Sequence, residues 1–205
     1  ENKGLVEAIG QVRFGRLVSL LRETQPNFQP AFVNRYRPWA ASILLSFPPM
    51  VADGVPLDEK LQKSAAEKGI PLKGLETVDQ QFKVFTQMSL SQQVTMLDDS
   101  INRYEYIKAM NNRLFTEYRR ADMAKIHHLG EESFSGVEDK DLADMMKQTL
   151  LIDRNVYMSK EMQPYLDQGA AFIAIGALHL WGEEGVLARA HRNLLYIDEI
   201  NMLEA

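Results

Sequence analysis

The chain has 205 residues, 45% of them hydrophobic and 25% charged, the make-up of one ordinary globular domain. A formal net charge of −5 argues against a dedicated nucleic-acid binder, which carries a basic surface. The absence of cysteine excludes disulfides, thiol catalysis and thiolate metal sites, and no apolar run approaches the roughly 18 residues of a membrane span.

The chain opens with Glu1-Asn-Lys, and no apolar signal-peptide core follows, so the sequence reads as a mature or trimmed piece. From Leu5 to Leu21 the apolar residues Leu5, Ile9, Val12, Leu17, Leu20 and Leu21 fall at helical spacing. Pro26 and Pro30 break that run. Pro38 suits the first turn of a second helix, which ends at Pro48-Pro49. A turn at Asp53-Gly54-Val-Pro56 leads into a short helix, Leu57 to Lys68, closed by Gly69.

Ile70 to Leu75 then predicts a strand that ends in Glu76. Ser89 and Gln92 form a capping-box pattern at the head of the longest helical run, which reaches about Leu129. A run of that length calls for a break, expected near Asn111-Asn112. Gly130 to Gly136 reads as a loop, and a helical stretch from Val137 to Gln168 reads as broken near Asp153. The methionines, among them Met145, Met146, Met158 and Met162, read as core filler.

Ala170 to Leu178 is a continuous apolar run that ends at His179 and is followed by Gly182-Glu-Glu-Gly185. It predicts a strand buried on both faces, and ligands in open α/β sheets sit beyond such strand ends. With a third strand at 194–198, the pattern is one helix-rich domain over residues 1–205 around a thin sheet. Further strands are expected in a portion that this chain lacks.

Three side chains stand out as candidates for chemistry. His179 ends a buried strand, where an imidazole serves as base or ligand; the alternative is a histidine satisfying a loop carbonyl. Glu76 ends another predicted strand and equally suits the positive end of the helix that follows. Arg154 lies in Asp153-Arg154-Asn155, a polar island between Leu150-Leu-Ile152 and Val156. An arginine there can hold a carboxylate bidentately or stabilise an oxyanion, or form a surface pair with Asp153.

The other histidines carry less. His127 and His128 lie roughly 100° apart on a helix and do not face one ion together. His191 sits in a charged helix end, and Glu183-Glu184 favours the positive end of the next helix.

These residues together resemble a known family. Gly176-Ala-Leu-His179 is similar to the C-terminal glycine–x–x–histidine motif of the TraB/GumN family, related to the TIKI metalloproteases and distantly to the ChaN and erythromycin-esterase proteins. Arg37-Pro38-Trp39, Lys73-Gly74-Leu75-Glu76-Thr77 and Asp153-Arg154-Asn155 resemble three further family segments in order. The resemblance implies an α/β fold of the ChaN/erythromycin-esterase kind, a small mixed sheet covered by helices. It also implies a metal-dependent hydrolase or peptidase acting on peptide or small-molecule substrates, with Glu76, Arg154 and His179 at its site.

By the same resemblance, His179 and Glu76 would be ligands of a divalent ion (Mn, Co or Zn), in a periplasmic or secreted protein. The alternative is a non-catalytic protein that binds a peptide or signal molecule in the same crevice. Two features depart from the family. Its first glycine–x–x–histidine motif has no counterpart here, and the tail Leu194-Leu-Tyr-Ile-Asp198-Glu199 resembles a Walker-B strand of an ATPase. Without a phosphate-binding loop, Asp198-Glu199 reads as a solvated strand end.

Overall fold

The computed structural model describes residues 4–24, 26–46 and 54–191. Among them every regular element is a helix, and no strand forms. The expected mixed sheet is therefore corrected to an all-helical architecture within the described residues. The reason is pairing. A strand exists by its ladder, and the segments at 71–74 and 170–176 form no ladder with any described residue. The predicted strand at 194–198, with its Asp198-Glu199 end, lies outside the described residues.

The first helical run is two helices, α1 (Leu5–Ile9) and α2 (Gln11–Thr24), because Gly10 takes φ 81° and turns the chain between them. Leu5, Ile9, Leu17 and Leu21 are buried while Val12 faces solvent. After α3 (Pro30–Val33), α4 (Pro38–Ser46) begins at the proline the sequence marked. It packs along α7 (Leu90–Asn102), whose Ser89–Gln92 capping box is formed at both ends. α1 to α4 and α7 close a first core around Leu17, Val33, Ala41, Leu97 and Ile101.

α5 (Leu57–Glu67) has no buried residue. α6 (Val78–Gln87) sends Phe85 against Trp39 with stacked rings 5.2 Å apart, and the pair anchors a second core with Met88, Met96 and Leu142. The long run breaks at Arg103, between α7 and α8 (Tyr104–Arg119), and again at 120–122, where Ala121 has φ 55°. No break falls at Asn111-Asn112; Asn111 instead donates to the Ser46 carbonyl at 2.9 Å.

The expected loop at 130–136 is helix. α9 (Met123–Ser135) continues through Gly130, where a Cβ would come within 2.8 Å of Leu178. Glycine there lets α9 approach the segment that carries His179. α10 (Lys140–Lys147), a π turn (Gln148–Ile152) and α11 (Asp153–Gln168) follow, so the expected interruption near Asp153 is a widened turn. A 3₁₀ turn (Ala177–His179) and α12 (Val186–His191) complete the described chain.

The third core joins Met158, Met162, Val186 and Ala190, with Leu75, Ile173 and Ile175 packed on it. From Ala171 to Gly176 only Ile173 and Ile175 are thus covered. Phe172 is 64% exposed, so the run is half-buried and not enclosed on both faces.

Candidate functional site

Glu76, Arg154 and His179 come from three distant parts of the chain. Glu76 immediately precedes α6, whose N-terminus is held by a capping box: Gln80 donates its backbone N–H to Thr77 Oγ1, and Thr77 N–H donates to Gln80 Oε1. That fixes where α6 begins, with its cap Thr77 one residue after Glu76. Arg154 and Asn155 lie in the first turn of α11, directly after the π turn. A π turn carries an extra residue per turn, re-aiming the side chains beyond it, and such turns cluster at functional sites.

Arg154 donates from Nε to Glu76 Oε1 at 2.9 Å and from Nη2 to Oε2 at 2.7 Å, a two-pronged pair. The Glu76 side chain is 5% exposed and that of Arg154 25%, so the pair is largely removed from water. The surface pairing of Arg154 with Asp153 does not form; Asp153 accepts from Gln148 at 2.8 Å.

His179 is 8% exposed. Its Nδ1 lies 2.7 Å from Asn155 Oδ1, while Asn155 Nδ2 donates to the Glu184 carbonyl at 2.8 Å. The directions of this relay follow from chemistry. A backbone carbonyl only accepts, so the amide nitrogen of Asn155 must face Glu184 and its oxygen must face the imidazole. Nδ1 therefore carries the proton, and Nε2 keeps its lone pair. Burial, reinforced by the Arg154 charge and opposed by Glu76, lowers the His179 pKa from 6.5 to about 4, so the ring is neutral near pH 7.

Two glycines shape the loop after His179. At Gly185 a Cβ would lie 2.4 Å from the Trp181 carbonyl oxygen and 2.5 Å from that of Leu180, both rigid backbone. Gly182 has φ 90°, and a Cβ there would press on the His127 ring at 2.6 Å. His127 thus packs on the loop, while the exposed His128 stays apart. The Glu184 side chain pairs with Arg189, a salt bridge inside the loop and the following helix.

Asn155 is the residue that reading for titratable groups misses. Its signal was present in the Asp153-Arg154-Asn155 island, where a 3% exposed amide requires partners. A cavity of about 220 Å³, lined by Ser42, Ser100, Arg103, Met110 and Phe134 among others, lies elsewhere and contains none of these residues.

A divalent ion of the kind the resemblance implies takes three or more protein ligands. Among the described residues no group of three His, Asp or Glu side chains is placed to hold one. Both oxygens of Glu76 are gripped by Arg154, which leaves Nε2 of His179 as the free lone pair of the cluster. The described residues therefore do not fit the ion by themselves. Nor is any described helix long and apolar enough to cross a membrane.

A model of the TraB/PrgY/gumN family matches residues 1–193, and the chain belongs to that family. Searches of curated proteins and of solved structures find no match.

Proposed function

We propose that this TraB/PrgY/gumN member is a hydrolase of peptide or small ester and amide bonds, with His179, Arg154 and Glu76 at its reaction centre. One observation carries the reading. Two side-chain hydrogen-bonded pairs, Glu76–Arg154 across 78 residues and Asn155–His179 across 24, meet at adjacent positions in the first turn of α11.

The roles follow from the charges. Protonating an imidazole whose pKa is about 4 costs about 4 kcal/mol at pH 7, so His179 does not store a proton there. Its Nε2 serves instead as a fixed acceptor that orients a water or a substrate N–H. Arg154 supplies positive charge beside it, suited to an oxyanion developing on a carbonyl. Glu76 holds the guanidinium in place.

The test is turnover of a p-nitrophenyl ester and of fluorogenic peptides by the purified chain, set against His179→Ala and Arg154→Lys. Loss of hydrolysis in both is expected; turnover undiminished in His179→Ala removes the reading.

A second reading, peptide capture without turnover, is favoured by the weak basicity of His179 and the already paired charge of Arg154. Calorimetry separates the two. Peptide binding with no hydrolysis, and no heat with Mn²⁺, Co²⁺ or Zn²⁺, supports the binding role.

A further inference from the structure

The cavity of about 220 Å³ is enclosed by α4, α7, α8, α9 and α10, and its walls are mostly apolar. Met96, Met110, Phe134, Leu142 and Met146 line it. Methionines adapt to the shape of a guest and pack well on aromatic rings. The volume exceeds the roughly 150 Å³ of a cavity that holds benzene, so one substituted ring fits.

The polar groups of the wall restrict the guest further. A hydroxyl bonded to a backbone carbonyl must donate, because the carbonyl only accepts. Ser46 donates in this way to the Ser42 carbonyl at 3.0 Å, Ser100 to that of Met96 at 2.9 Å, and Ser133 to that of Gly130 at 2.7 Å. The Ser42 hydroxyl, 2.5 Å from that of Ser100, therefore donates to it. All four serines line the cavity, and each has spent its one proton within the wall. What they offer a guest is oxygen lone pairs.

The charges of the wall are matched as well. Arg103 donates to Asp99 at 3.0 Å and lies over the Tyr106 ring at 4.7 Å. Its Nη2 rests against Gly136, where a Cβ would come within 2.4 Å. A guanidinium engaged in this way gives an anionic guest no advantage.

We infer that this cavity binds a small, uncharged aromatic molecule carrying a hydroxyl, phenol being the simplest case. The ring lies on the methionine-lined wall, and the hydroxyl supplies the proton that the serine oxygens lack. Neither Glu76, Arg154 nor His179 lines the cavity, so the inference is independent of the hydrolase reading.

The test titrates phenol, toluene and benzoate into the 205-residue chain labelled with ¹³C at its methionine methyls. Phenol should shift the Met96, Met110 and Met146 signals saturably. It should also bind at least about threefold tighter than toluene, which has the same ring and no proton to donate. A wall without exposed acceptors would favour the more apolar toluene. Benzoate should not bind.

Ser100→Ala with Ser133→Ala should reverse the preference to toluene, and Leu114→Trp, which fills the cavity from α8, should abolish the shifts. The comparison of the three probes needs only the wild-type chain, so it stands should either variant fold poorly. No saturable shift with phenol, tighter binding of toluene or of benzoate to the wild-type chain, or shifts unchanged in a folded Leu114→Trp would overturn the inference.

Discussion

Arg154 closes on both carboxylate oxygens of Glu76 across 78 residues of sequence, at 2.9 and 2.7 Å. Removing one partner strands the other in a largely dry setting. Glu76→Gln should lower stability by about 2 kcal/mol, below the range for a fully enclosed pair because Arg154 retains some water contact. Replacing both, as Glu76→Leu with Arg154→Met, should cost less than Glu76→Gln alone. Urea unfolding of the three variants measures this, and an equal loss in the single and double variants would count against the pair.

Asn155 sets the imidazole tautomer. In the wild-type chain, ¹⁵N spectra of His179 should show the proton on Nδ1 and an unprotonated Nε2. Asn155→Ala removes the acceptor and should yield a mixture of tautomers. Asn155→Asp places a carboxylate at Nδ1 and should raise the titration midpoint of His179. An unchanged tautomer in Asn155→Ala would show that the relay to Glu184 does not hold the ring.

Acid should destabilise the fold through His179. Its pKa is about 4 when folded against an ordinary 6.5, so the unfolded chain takes up this proton first as pH falls. The contribution is fully present above pH 6.5 and is lost between there and pH 4, up to about 3 kcal/mol. His179→Gln lacks this group, and its stability should fall less steeply over that window. Parallel pH profiles of the two proteins would refute the assignment.

The two glycines of the 182–185 loop should differ in their tolerance of alanine. At Gly185 the obstacle is backbone carbonyl oxygen at 2.4 and 2.5 Å, which does not yield, and Gly185→Ala should cost more than about 3 kcal/mol. At Gly182 the obstacles are the His127 ring and φ 90°. Gly182→Ala should cost about 2 kcal/mol, with partial recovery in a His127→Ala background because only the ring contact is relieved. Thermal melts of the four proteins check the order.

Signals whose chemistry is local are legible in the sequence. The capping box at Ser89–Gln92 and the helix start at Pro38 depend on neighbours within four residues, and both stand in the structure. The breaks between helices are less legible. Gly10 and Ala121 turn the chain by positive φ, and nothing in apolar periodicity marks them. Gly130 resembled a loop residue yet sits inside α9, since its missing side chain makes room for Leu178 from 48 residues away.

The sequence by itself singled out Glu76, Arg154 and His179 as candidates, because residue types and an isolated polar island in apolar surroundings are legible without coordinates. It also determined the family, through short motifs in order. Tertiary structure alone decided that Arg154 takes Glu76 in place of Asp153, that Asn155 directs the imidazole, and that the apolar run is half-covered and joins no strand among the described residues. Those outcomes depend on partners distant along the chain. A strand needs a ladder and a buried charge needs a counter-charge, and neither partner is written in the residues that require it.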